Sequence, residues 1–256
     1  MVTACDAWRQ APRYDWSVCS GGRADRLDPV LPRRDFVLAG LAAVALQRVA
    51  AVGAAAVVIE DWSRQPLGAH GVPQGWTSYE TPGGHPKYDF TIVEDAGHRA
   101  LELKSEDDHS TIAKELDVDL AATPVLEWAW RVISLPAGAD LTQRATSDVT
   151  GHIFIVWPRF PAMLRSRLIG YIWDARLPVG SVITSQKTST VHFVVARSGP
   201  RGLGEWSIEH HDVAADYKRI FGEAPPKPGG VALSIDTNDT RASAAARFGR
   251  ITLQSR

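Results

Sequence analysis

The chain has 256 residues, with 28 Lys+Arg against 29 Asp+Glu and a formal net charge of -1. Such a balance gives no electrostatic basis for nucleic-acid binding, which needs a basic patch or stripe. The two cysteines, Cys5 and Cys19, precede the first long apolar segment, so the rest of the chain can build neither a cysteine-ligated metal site nor a thiol nucleophile.

Residues 31–59 read LPRRDFVLAGLAAVALQRVAAVGAAAVVI. Arg33-Arg34 followed by Asp35, Phe36, Val37 and Leu38 resembles the twin-arginine export motif, and Ala54-Ala55-Ala56 supplies the small residues a signal peptidase requires. A spanning helix competes with this reading, but Arg48 near its middle would cost about 2.5–3.5 kcal/mol. The sequence therefore predicts an N-terminal region over 1–56 that carries an export signal, followed by one domain over 57–256. The expected location is periplasmic or secreted. The twin-arginine machinery is the expected partner in transit, and no membrane span is expected after processing.

Beyond Ile59 strand patterns recur. Phe90–Val93 and Arg99–Leu103 flank a Gly-containing turn and read as a hairpin. In Val125–Val132, Trp128, Trp130 and Val132 fall on one face, and Glu127, Ala129 and Arg131 on the other. Further apolar, β-branched or aromatic runs are His152–Trp157, Ile169–Trp173, Val191–Val195, Glu205–Glu209, Val231–Ile235 and Arg250–Leu253. The Gly-rich stretch Ser198–Gly204 lies between two strands, not before a helix, and reads as a hairpin loop. One short helix is expected after Asp212 as cap, with Val213, Tyr217, Ile220 and Phe221 on one stripe and Gly222 closing it. Short strands with Gly, Pro, Asn and Asp between them predict an all-β domain, a jelly-roll-like β-sandwich with one short helix.

Several phrases together resemble a known family. They are Gly75-Trp76, Glu127–Val132, Leu135–Asp140, Gly170–Trp173, Asp216-Tyr217 with Phe221–Glu223, and Ile235–Thr240. Their order and spacing are similar to the bacterial domain-of-unknown-function family 3047, from about Val57 onward. The resemblance implies an exported or periplasmic location and no established activity. The family pattern is acidic with an arginine before the His152–Trp157 strand; here Asp148 is kept, and Thr150-Gly151-His152 fills the stretch.

Candidate site residues fall in three groups. The polar cluster Glu106–Ser110 offers Asp108 and His109 as ligand-binding or acid/base groups, against the alternative of a solvated loop. Asp236, Asn238 and Asp239 present hard oxygens at near-alternate positions, as calcium prefers, against the alternative of a plain turn. The strand pattern of the family is similar to jelly-roll binding modules, which implies a structural calcium here with Glu60-Asp61 as its partner. Trp62, Trp76, Tyr79, Trp157 and Trp173 lie near strand ends or turns, and Trp76, Trp157 and Trp173 are the expected stacking surfaces for sugar rings. The expected function is a carbohydrate-binding domain of the cell envelope. The alternatives are a polysaccharide-active enzyme using Asp108, His109, Glu127, Asp174 or His211, and a structural interaction protein.

Overall fold

The computed structural model describes residues 56–79, 85–161 and 165–256. The arginine pair, the apolar segment as far as Ala55 and both cysteines lie outside these. Among the described residues no helix is long and apolar enough to cross a membrane.

Among the described residues, thirteen strands form two sheets. One has the order β11-β6-β13-β4-β3, from Ser207–Asp212, Val125–Ser134, Ser243–Gln254, His98–Glu106 and Phe90–Asp95. β1 (Ala56–Glu60) pairs with the last residues of β13. The second sheet has the order β2-β5-β12-β7-β8-β10-β9. Its strands are Thr77–Tyr79, His109–Glu115, Gly230–Asp236, Val149–Trp157, Arg167–Asp174, Val191–Ser198 and Val182–Thr184. All pairings are antiparallel except β8 with β10. The expected jelly-roll-like sandwich is the observed architecture.

Alternation builds the core. Leu126, Trp128, Trp130 and Val132 of β6 are fully buried and face Ile153, Ile155, Ile169 and Tyr171 of the second sheet. The sheets approach closely at Gly151, where a Cβ would lie 2.6 Å from that of Ala246. The β3–β4 hairpin turns at Ala96 and Gly97 with φ of 52° and 79°, the left-handed pair that a two-residue hairpin requires. Helix α1 (Val213–Phe221) starts where Asp212 accepts the amide of Ala215 at 2.8 Å, and Gly222 ends it at φ 75°. Val213 and Tyr217 carry its buried face.

Two expectations change. Ser198–Gly204 is not a hairpin loop, because β10 and β11 belong to different sheets and the segment crosses between them. The cluster Glu106–Ser110 likewise includes a crossing turn, from β4 in one sheet to β5 in the other. Asp107 there adopts φ 45° and donates its amide to Ala242.

Candidate functional site

The outer face of the six-stranded sheet is closed by its own charges. Asp95 accepts Arg131 at 3.0 Å and Arg247 at 2.7 Å, while Glu102 accepts Arg247 at 2.6 Å and Lys104 at 2.9 Å. Farther along, Glu127 meets His210 at 2.7 Å.

The outer face of the seven-stranded sheet is divided. Across β7, β8 and β10 it is apolar: Phe154, Ile172, Phe193 and Val195 are buried in a cluster with Leu141, against which Leu177 packs and which Ile183 of β9 flanks beside Phe193. Gly170 makes this possible, because its missing Cβ leaves the space that the rings of Phe154 and Phe193 fill. Across β2, β5 and β12 the same face carries polar groups, of which Tyr79, His109 and Thr111 are partly exposed while Ser234 and Asp236 are buried. Register places Tyr79 opposite Thr111, Thr111 opposite Ser234, and His109 opposite Asp236. The Thr111 and Ser234 hydroxyls share a hydrogen bond of 2.6 Å, and His109 Nε2 lies 3.2 Å from Thr111 Oγ1. His152 borders the row. It lies edge-on to Phe154 at 4.8 Å, with Nδ1 2.8 Å from the Thr150 carbonyl. Burial drops its pKa to about 4, against the pull of that carbonyl, so the ring is neutral.

The two loops chosen separately in the sequence are neighbours in space. Thr237 donates its amide to the Asp108 carbonyl at 2.9 Å, so Asp108–His109 and Asp236–Asp239 meet at one end of the sheet. Lys187, from the loop between β9 and β10, reaches across to Asp239 at 2.6 Å and Asp236 at 3.7 Å. Burial raises the Asp236 pKa, which His109 and Lys187 oppose and Asp148 reinforces. Burial disfavours the Lys187 charge, but Asp236 and Asp239 outweigh it and raise the Lys187 pKa. Asp148 holds the turn by accepting the amides of Asp239 at 3.0 Å and Thr240 at 2.7 Å.

Several expected roles are not what the structure assigns. Trp76, Trp157 and Trp173 are only 6%, 1% and 2% exposed, so they are not stacking surfaces. Their indole N–H groups donate inward, to Glu60, to the Pro226 carbonyl and to the Gly199 carbonyl. The cavity beside Trp173 is about 10 Å³, room for one water rather than a sugar. Asp108 is buried, accepting Ser110 Oγ at 2.6 Å and the Lys87 amide, and braces the crossing turn. Glu60 is held by Lys114 at 2.9 Å and by Trp76 at 3.0 Å, beside the opposite end of β5 from Asp236, so it does not join the Asp236 turn. Among the described residues no three His, Cys, Asp or Glu are grouped to hold a metal ion. Glu127, Asp174 and His211 do not converge with His109. Asp174 caps the amides of Arg176 and Leu177, and His211 stacks on Trp128.

Thr111, Ser234 and Lys187 were not singled out from the sequence. The alternation of His109, Thr111 and Ala113 carried the signal for the first, but the mixed polarity of HSTIAKE hid the strand. Ser234 sits inside an apolar run, and nothing local marks Lys187.

Comparison with known proteins places this chain in a family. The model of DUF3047, a protein family of unknown function, matches residues 74–252. The chain belongs to that family. No curated protein matches it. Among solved structures it is similar to a family 11 carbohydrate-binding module from Clostridium thermocellum in complex with a β-1,3-1,4-mixed-linked tetrasaccharide. The identity is 11% and the TM-score 0.39, over 77% of this chain and 94% of that one. It is also similar to the xyloglucanase domain of NopAA, a type three effector from Sinorhizobium fredii, in complex with cellobiose. There the identity is 10% and the TM-score 0.41, over 76% of this chain and 100% of that one.

Proposed function

We propose that this DUF3047 chain is a carbohydrate-binding domain whose ligand lies on the polar half of the outer face of the seven-stranded sheet. One observation carries the reading: β2, β5 and β12 align Tyr79, His109, Thr111, Ser234 and Asp236 on one surface, with Lys187 at its border. Sugar hydroxyls both donate and accept, and this row mixes donors with acceptors. Tyr79 adds an amphipathic ring for the apolar face of a pyranose. The edge of the row is set by strands, so the groups are positioned before a ligand arrives.

We further propose that the protein works outside the cytoplasm, exported by the twin-arginine route; Arg33-Arg34 and the Ala-rich run after them support this.

The test is a glycan array probed with the full chain, followed by titration of any hit against Tyr79→Ala and His109→Ala. Both side chains are only partly buried, so folding is expected to survive. The expected result is a neutral or acidic glycan whose affinity falls at least tenfold in each variant. Equal affinity in both variants, or an array with no hit, would sink the proposal.

A further inference from the structure

At the opposite end of β7 from Asp148, a second group of side chains converges. Arg159 follows β7, and Arg167 opens β8 opposite Trp157. Tyr217 of α1 packs its ring on Trp157 at 4.6 Å and points its hydroxyl at both guanidiniums. Arg159 Nη2 and Arg167 Nη1 donate to that oxygen at 3.0 and 2.6 Å. The Arg167 guanidinium also lies over the Phe221 ring at 4.4 Å, which fixes its plane. After Gly222 the chain turns back, and Glu223 enters the group. One oxygen, Oε1, receives Arg159 at 3.1 Å, Arg167 at 2.5 Å and the Tyr217 hydroxyl at 3.5 Å.

The members differ in how firmly they are held. Tyr217 is fully buried, and Arg167 and Arg159 are 21% and 32% exposed, whereas Glu223 is 53% exposed on the loop beyond the helix. Two guanidiniums face one carboxylate, which leaves a positive surplus. The recorded bonds use one nitrogen of each arginine, although a guanidinium has five N–H donors and pairs most strongly with carboxylates in a fork. Phe160, next to Arg159 in the chain, is 79% exposed.

We propose that Arg159, Arg167 and the Tyr217 hydroxyl form a binding site for the carboxylate of an acidic sugar, a uronate, and that Glu223 is the chain's own placeholder in it. Donors held by rings and strands keep their geometry when Glu223 swings out, and the incoming carboxylate takes its place. The sugar half of this assignment rests on the carbohydrate-binding function proposed above. The anion half rests on the convergence at Glu223 alone.

The experiment is calorimetric titration of the full chain with a galacturonate trimer, its neutral galactose counterpart and sodium acetate. Four proteins are compared: native, Glu223→Gln, Arg159→Gln and Arg167→Lys. A site filled by its placeholder nine-tenths of the time loses about tenfold in apparent affinity. Glu223→Gln is therefore expected to bind the galacturonate trimer about tenfold more tightly than native. Arg159→Gln and Arg167→Lys are expected to lose it, with melting temperatures showing that they fold. The neutral trimer is expected to respond to none of these changes. If Glu223→Gln gains no affinity, or if both arginine variants bind the acidic trimer as native does, the inference is overturned. Neutral glycans binding through His109 and Tyr79 would in that case leave the proposed function standing. Acetate and galacturonate responding to Glu223 while no array glycan depends on His109 would sustain the anion site and remove the other.

Discussion

Acidification should expose the cost of keeping His152 neutral. Its ring is buried between β12 and the aromatic pair Phe154 and Phe193, and burial takes its pKa from the ordinary 6.5 to about 4. Because the folded pKa is depressed, the unfolded chain takes up the proton first. Stability is therefore intact above the unfolded value and is lost as pH falls from about 6.5 toward 4. The slope approaches about 1.4 kcal/mol per pH unit, and integration gives about 2.5 kcal/mol by about pH 4.5. Burial pushes the pKa values of carboxylates such as Glu60 and Glu102 up, but their hydrogen-bond and charge partners lower them on balance, so the stability these groups add is lost in acid below the ordinary carboxylate range. The assay is urea unfolding by tryptophan fluorescence from pH 7.5 to about 4.5, for the native chain and His152→Gln. The native stability should fall relative to the variant by about 2.5 kcal/mol over that range. Parallel pH profiles would show that His152 protonates as easily in the fold as outside it, and the burial reasoning would fail.

Gly170→Ala puts a Cβ within 2.6 Å of the Phe154 ring and 2.9 Å of Phe193, and should cost about 1–3 kcal/mol as a lower urea midpoint at unchanged slope. Asp148→Ala removes the acceptor for the amides of Asp239 and Thr240, for a loss of about 1–3 kcal/mol that Asp148→Asn should partly restore. Because Lys187 already lies 2.6 Å from Asp239, melting curves in chelator and in millimolar calcium should coincide for the native chain and separate in Lys187→Met. Separation in the native chain would establish calcium as a structural ligand there. Replacing Arg33 and Arg34 with Lys should leave precursor in the cytoplasm; normal export of the double variant would refute the twin-arginine assignment.

Much of the sandwich was legible because local chemistry and tertiary environment agree. Trp128, Trp130 and Val132 alternate with Glu127, Ala129 and Arg131, and that alternation is the burial pattern of β6. Asp212 and Gly222 mark both ends of α1 in the sequence because each supplies a cap that few residues can. The tryptophans were ambiguous for the opposite reason. A large ring with one polar atom suits both a core and a sugar platform, and only the direction of its N–H decides. Trp157 reaches the Pro226 carbonyl and Trp173 the Gly199 carbonyl, contacts 69 and 26 residues away that no local pattern records. The arginine group is similar, with Arg159 and Arg167 58 and 50 residues from Tyr217.

The divided face of the seven-stranded sheet bears on what a ligand there can be. Left open, Phe154, Ile172, Phe193 and Val195 would be a contiguous apolar patch of the kind that marks a docking surface or an aggregation liability. Leu141 and Leu177 pack against it and Ile183 of β9 flanks it, so the chain uses that half itself. On the proposed carbohydrate reading, the other half would be read by hydrogen bonds more than by ring stacking, with Tyr79 as the aromatic partner. Discrimination would come from hydroxyl stereochemistry, since a polar site left unpaired by the wrong isomer loses more than an apolar contact does. Lys187 ties the two halves together: it comes from the loop that follows β9, whose Ile183 flanks the apolar half, and ends on the carboxylates that border the polar row. On the proposed reading, a sugar hydroxyl that reaches Asp236 would meet a carboxylate 3.7 Å from that ammonium, so ligand binding would draw on a group that also anchors the β9–β10 loop.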